Sequence, residues 1–376
     1  MLRIGIECEN IEDPKSRWGV GQLTFNLLSE YVKNPEWQKK FELYLYFKKR
    51  IPDDDIFKIQ NSKFKIRVLG FPSFNVFYHI LMPLRAMMDG LDWMFFPAYM
   101  LPPLYLGRSI VLLTSDVYYE YKHGNLPFRY RLAYALFTNW AAIKAKKILA
   151  ISETSKKEIA KLYRIESDKI FTSYLGVDSH KTMNYKLETG NYLLYVGQMF
   201  PRRHARETIL AFKKLITEHS NILQNVRMLD LRLIIVGKDK YPVPIIDDLV
   251  KNTNQELGSE RIIRHDYLEK REDIDKLYAE ARALIYVSDR EAFGLPPMEA
   301  LSFGVPPIVM DNELGHELFG EYAFYAKSES VEDVADSIKQ ALSNEQKVMN
   351  IRKNGLEFVK KYNWKSFMEN VFSEFE

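Results

Sequence analysis

Ser288-Asp289-Arg290-Glu291-Ala292-Phe293-Gly294-Leu295-Pro296-Pro297-Met298-Glu299-Ala300-Leu301 is the stretch on which the reading of this chain turns. The run before it, Ala283-Leu284-Ile285-Tyr286-Val287, is short, apolar and rich in β-branched and aromatic residues, as a buried strand is. Behind it, Pro296 and Pro297 suit the first turn of a helix, where a missing N–H costs nothing. Strand, loop and helix in that order place the loop at the carboxyl edge of a sheet, facing a helix N-terminus. Open α/β sheets bind ligands at that edge, and backbone N–H groups hold anions there. Glu291 in the loop and Glu299 in the first helical turn flank Phe293-Gly294-Leu295. One carboxylate can reach the reacting part of a ligand and the other a more remote hydroxyl pair. Two solvated glutamates on a surface loop are the alternative, and the surrounding chain decides between them.

The same grammar recurs on both sides. In the second half, strands are predicted at Tyr192–Val196, Leu231–Val236, Arg261–Arg264, Ala283–Val287 and Pro307–Met310, with helices between them such as Ala205 to Glu218. In the first half they are predicted at Leu2–Glu7, Phe41–Phe47, Phe64–Leu69, Ser109–Thr114, Lys147–Ile151 and Ile170–Tyr174. Helices are expected from Gln22 to about Val32 and around Arg129 to Lys146, with a capping box at Ser155 opening another. Alternation of this kind implies α/β architecture: two doubly wound, Rossmann-like domains with parallel sheets and a ligand cleft between them. At 376 residues two domains are expected in any case, because single cores stop growing below this size. The turn Leu175-Gly176-Val177-Asp178 closes the first domain, residues 1–180. The polar stretch 179–190 reads as a linker, and residues 190–361 form the second domain. The aromatic and proline-rich segment 71–106 reads as a helix pair on the sheet, or as an apolar lip for a lipid-linked acceptor.

Composition narrows the function. A net charge of +3, mixed along the chain, gives no stripe for nucleic acid. The single cysteine, Cys8, allows neither a disulfide framework nor a cysteine metal site. The N-terminus reads as a strand and not as a signal peptide, and no apolar run of roughly 18 residues could span a membrane. A cytoplasmic protein is expected, either free or at the inner face of the membrane through peripheral contact. No His/Asp/Glu cluster has metal-ligand spacing, and the runs Asp53-Asp54-Asp55 and Asp247-Asp248 read as solvated.

Gly197-Gln198-Met199-Phe200-Pro201-Arg202-Arg203-His204 offers a second site beside the first. It follows a buried strand and precedes a helix, and its adjacent guanidinium forks suit a diphosphate. A solvated basic turn explains the same residues equally well. His204 can serve as phosphate donor, cap or packing residue. Gly19-Val20-Gly21 after the first strand can bring backbone close to a phosphate, or can be only a turn. Ser115-Asp116 ends a buried run, where a carboxylate can meet a sugar hydroxyl or cap the next helix.

Glu291 to Glu299, followed by Ala300-Leu301-Ser302-Phe303-Gly304-Val305-Pro306, resembles the E-x7-E signature of retaining glycosyltransferases of family 4. The likeness extends over nearly the whole chain, through Gly19-Val20-Gly21, Ser115-Asp116, Ile148 to Lys156, Tyr195-Val196-Gly197 with Pro201-Arg202-Arg203, Leu233 to Gly237 and Trp364. It implies a GT-B fold with the acceptor mainly on the N-terminal domain and the nucleotide-sugar on the C-terminal one. The terminal helix, about 362–376, would pack back on the first domain. Carried over, Glu291 contacts the transferred sugar. The amides of Phe293, Gly294 and Leu295 face sugar and diphosphate, and Glu299 takes the ribose hydroxyls. Arg202 and Arg203 hold the diphosphate, with Gly197 and His204 in the same turn. Backbone at Asp266-Tyr267-Leu268 frames the base.

The family uses no divalent metal or other cofactor, since cationic side chains and helix ends stabilise the leaving group. Gln198, His204 and Ala292 depart from common family residues, and Ser115-Asp116 stands where a His-Asp pair is frequent. Asp116 takes the catalytic place there, with Glu291 and Arg203, and His123 is a distant substitute. Mannosyltransferase-like group 1 members share Arg-Arg-His, which makes GDP-mannose the first donor expectation in polysaccharide biosynthesis. An isomerase of the same architecture, or a nucleotide-sugar-binding protein without catalysis, remains the alternative.

Overall fold

The computed structural model describes residues 1–14, 17, 19–58, 63–123, 127–178, 190–218 and 230–376, with His123 as backbone only. Trp18, the His123 side chain and all but Gly190 of the expected linker therefore lie outside the described residues. The chain divides into two units, one of Met1–Gly176 with Tyr362–Glu376 and one of Val177–Lys361.

In the first unit, described strands β1 (Leu2–Glu7), β2 (Phe41–Phe47), β3 (Phe64–Val68), β4 (Trp93–Phe96), β5 (Ser109–Leu112), β6 (Lys147–Ala150) and β7 (Ile170–Thr172) form one sheet. Its order is β3-β2-β1-β4-β5-β6-β7, with every pairing parallel. The second unit has β8 (Tyr192–Val196), β9 (Arg232–Val236), β10 (Ile262–His265), β11 (Ala283–Tyr286), β12 (Pro307–Met310) and β13 (Phe324–Ala326). These pair in parallel in the order β10-β9-β8-β11-β12-β13. Central strands such as β4, β5, β8 and β11 are buried along their whole length, as strands covered by helices on both faces must be. Strand order reverses direction between β1 and β4, and again between β8 and β11. Those switch points are where crossovers depart to opposite faces and leave a crevice at the carboxyl ends.

Several expectations are corrected. The segment 71–106 is not a helix pair. A helical stretch from Phe74–Val76 through a π turn at Phe77–Leu81 to Met82–Met88 is followed by β4, a fully buried central strand. Trp93-Met94-Phe95-Phe96 is apolar at every position, so it lacks the alternation that marks a half-exposed strand. β13 was not anticipated. The cap near residue 155 sits three residues earlier: Ser152 accepts the Ser155 N–H and opens the helix Glu153–Tyr163. The first helix begins at Val20 rather than Gln22, with Gly19 as its N-cap.

The terminal helix Trp364–Ser373 completes the first unit. Phe372 lies within 5.3 Å of the Phe41 ring, 5.6 Å of Tyr31 and 5.8 Å of Trp37, centroid to centroid. Phe375 meets Trp93 and Phe41, and Lys147 pairs with Glu374. Phe372 is fully buried, so Phe372→Ala should cost roughly 3–5 kcal/mol through lost burial and the cavity left behind. Chemical denaturation followed by near-UV circular dichroism, which reports this aromatic cluster, measures it.

Candidate active site

The second unit gathers most of the predicted site residues at the carboxyl ends of β8 and β11, on either side of its switch point. Arg203 and Glu291 are joined directly. The guanidinium Nε donates to Oε1 at 2.6 Å and Nη2 to Oε2 at 3.2 Å, a two-point pairing. Arg203 Nη1 donates to the Gln198 carbonyl at 3.2 Å. Glu291 Oε1 also accepts from Tyr286 OH and Ser288 Oγ, each at 3.2 Å. Burial on its own would raise the Glu291 pKa, but Arg203, then Arg202, outweigh it and hold the carboxyl below the usual carboxylate range.

Backbone contacts tie the same two loops together. The Asp289 N–H donates to the Arg202 carbonyl at 3.0 Å, and Ser288 Oγ lies 3.2 Å from the same carbonyl. Arg202 Nε donates to the Arg290 carbonyl at 3.2 Å. His204, buried and in the left-handed region at φ 46°, places Nε2 2.8 Å from Asp289 Oδ1 and Nδ1 3.5 Å from Glu207. Burial would depress its pKa. Asp289 and Glu207 reverse that and push it up to about 9, so the ring is an imidazolium at neutrality.

Gly294, at φ 96°, is the N-cap of the helix Leu295–Ser302, with Pro296 and Pro297 in its first turn. Only glycine enters that conformation readily, and a helix opening leaves its first N–H groups without intrahelical acceptors. Phe293 packs inward beneath it. Gly197 follows β8, and the turn after β9 presses on it: a Cβ at Gly237 would lie 1.9 Å from the Gly197 carbonyl oxygen.

Glu299 sits in that helix, buried, with its two oxygens held apart. Oε2 accepts from the buried Tyr278 hydroxyl at 2.9 Å and Oε1 from Arg271 Nη2 at 3.0 Å. Arg271 is about half exposed and also pairs with Asp275 at 2.8 Å. Asp266 and Tyr267 are exposed just past β10, Asp266 paired with Arg264, and Leu268 packs on the core. They lie beyond β9 and β10 on the far side of β8 from Glu291. Asp247, exposed as expected, also engages Arg264.

Asp116, Gly19 and Gly21 belong to the first unit. Asp116 lies in the first turn of the helix Ser115–His123 at the end of β5, and Gly21 is buried in the first helix. At that unit's own switch point Glu7 ends β1, fully buried; burial, then the charge of Glu9, pushes its pKa up to about 8. Among the described residues no group of three His, Cys, Asp or Glu side chains converges to hold a metal ion. Sequence reasoning missed Arg271 and Tyr278, which hold Glu299 from 28 and 21 residues away, and gave no role to Tyr286, Ser288, Asp289 or Glu7. No spacing rule links such positions; Asp289 and Ser288, inside the signature loop, were the findable ones.

Residues 178–358 match the family model of group 1 glycosyl transferases. The O-antigen chain mannosyltransferase B of Escherichia coli is 29% identical over 233 residues, 59% of this chain and 58% of that protein. The O-antigen chain mannosyltransferase RfbU of Salmonella typhimurium is 27% identical over 223 residues, 58% of each. The chain thus matches 58% of the length of these relatives. WaaG, a glycosyltransferase involved in lipopolysaccharide biosynthesis, superposes with a TM-score of 0.70 at 16% identity over 99% of both chains. HepE of Anabaena, solved with UDP-glucose, gives 0.70 at 13% over 100% of this chain and 99% of its own. The fold is GT-B.

The His204 arrangement has a pH signature. A folded pKa of about 9, against an ordinary 6.5, means its stabilising contribution is complete below 6.5 and lost as pH rises through 9. Asp289→Asn should return the titration toward 6.5 in an NMR experiment on the imidazole protons, and should destabilise the fold at neutral pH more than at pH about 9 or above.

Proposed function

We propose, from the match of residues 178–358 to the family model of group 1 glycosyl transferases, that the chain moves a hexose from a nucleoside-diphosphate sugar to a hydroxyl of a glycan or lipid-linked saccharide, with retention at the anomeric carbon. Mannose carried on GDP is the donor we favour, because the O-antigen relatives are mannosyltransferases. The observation behind this reading is the Arg203–Glu291 pair, fixed at the switch point beside the opening of the helix Leu295–Ser302.

As the bond from C1 to the β-phosphate oxygen breaks, negative charge grows on the phosphate, and groups fixed in advance stabilise it without reorganisation. In this reading Arg202, the His204 imidazolium and the amides of Phe293, Gly294 and Leu295 supply those groups, the helix end adding partial positive charge. Three N–H groups of Arg203 are engaged by Glu291 and Gln198, and the proposal turns the others to the diphosphate. Glu291, held ionised, faces the transferred sugar. Glu299 takes the ribose hydroxyls on the oxygen now occupied by Arg271, while Tyr278 keeps the carboxylate in place. The backbone of Asp266, Tyr267 and Leu268 frames the base. On the first unit, Asp116 addresses the sugar or the incoming hydroxyl, and Gly19 and Gly21 bring backbone to the donor. The acceptor oxygen bonds C1 on the face the phosphate leaves, and its proton passes to the departing phosphate oxygen. The cationic groups take the part a divalent ion plays elsewhere, so the reading assigns no metal.

Glu291→Gln keeps shape and removes charge. Turnover with GDP-mannose and a saccharide acceptor should fall on the order of 100-fold. The buried Arg203 charge loses its partner, so the melting temperature should fall as well, and turnover is compared well below it. Full turnover would sink the assignment. Glu299→Gln should weaken GDP binding by roughly 10- to 100-fold in calorimetry, the worth of hydrogen bonds to a charged acceptor, and an unaltered affinity removes its ribose role.

A further inference from the structure

Two helices of the first unit carry a surface that neither the fold nor the proposed reaction uses. Phe128–Lys144 buries Thr138, Ala141 and Ala142, yet its opposite side is also apolar. Phe128, Leu132, Leu136 and Ile143 recur there at helical spacing, with Phe128 77%, Leu136 60% and Ile143 64% exposed. The helical stretch 74–88 lies alongside, its His79 ring stacked on Phe137 at 4.2 Å. It turns Ile80, Leu84 and Met88 outward, Met88 being 78% exposed. A groove of about 490 Å³ runs between the two, with Val76, Ile80, Leu104, Ala133 and Phe137 among its walls. Ile80 and Leu104 are themselves exposed, so the groove joins the two stripes into one face. Single exposed apolar residues are ordinary; a contiguous face of this kind marks an interaction surface.

Charge identifies what covers it. Neither 74–88 nor 128–144 contains an Asp or Glu. Arg129 and Lys144 are exposed at the two ends of the longer helix, and exposed Lys146 follows. A second copy of the chain would set basic face against basic face. An apolar strip on two helices that carry exposed cations and no carboxylate of their own fits a bilayer with anionic headgroups, where the strip enters the acyl boundary and the cations meet phosphates. No described helix is long and apolar enough to cross a membrane, so the contact is one of lying on the surface. We propose that this face docks the first unit on an anionic lipid bilayer, with the groove between 74–88 and Phe128–Lys144 receiving an acyl chain.

The test needs neither donor nor acceptor, so it stands or falls apart from the transferase reading. The full chain is sedimented with vesicles of phosphatidylcholine alone and of phosphatidylcholine and phosphatidylglycerol in equal parts. It should pellet with the mixed vesicles, far less with the neutral ones, and added salt should release it. Arg129→Gln and Lys144→Gln should each lower partitioning by about fivefold, the worth of one basic residue near such a surface. Phe128→Glu with Leu136→Glu should abolish it without altering the melting temperature, since both side chains point outward. Three results would overturn the proposal: no pelleting with either vesicle, undiminished pelleting of the double glutamate protein, or a dimer in light scattering that the same double substitution converts to monomer.

Discussion

The second unit depends on one ion pair. Arg203 and Glu291 are 88 residues apart in sequence, and both are largely withdrawn from water. Removing two charges from solvent costs several kcal/mol per ion, and a single point contact does not offset that. Here the carboxylate takes a two-point contact from the guanidinium and further bonds from Tyr286 and Ser288, while the guanidinium also reaches the Gln198 carbonyl. Because its partners come from the loops after β8 and β11, the pair holds the two sides of the switch point as one body. The Asp289 and Arg202 backbone contacts and the His204 bridge repeat that link. A charged site assembled before any ligand arrives needs little rearrangement to act.

Much of this was legible one level below the contacts. Strand–loop–helix order placed Glu291, Arg202 and Arg203 at a carboxyl edge, because apolar run length, proline position and glycine are local signals. That Arg203 and Glu291 meet each other was not legible: each fitted a ligand as well as it fitted the other, and periodicity carries no information across 88 residues. Glu299 shows the same limit. Its carboxylate suits ribose hydroxyls, yet in the folded chain Tyr278 and Arg271 fill both oxygens.

Errors in the first unit have a different cause. β4 is apolar at every position, and Phe128–Lys144 carries apolar residues on opposite sides, so in neither does the sequence mark a single buried face. The length of the helix could be read to within two residues at either end. Which of its sides faces the core could not, because Thr138 and Ala141 look no more buried in sequence than Leu132 and Leu136. Ser152 was missed as a cap because Ser155 offered the same side chain three positions later.

The terminal helix sets an order on assembly. The second unit is one continuous stretch of chain, whereas the first needs Tyr362–Glu376, which are synthesised after the whole of the second. Until Phe372 and Phe375 emerge, Tyr31, Trp37, Phe41 and Trp93 have no aromatic cover from them. The unit that starts first on the ribosome is therefore finished last, and it waits with its stickiest surface open to chaperones or to neighbouring nascent chains.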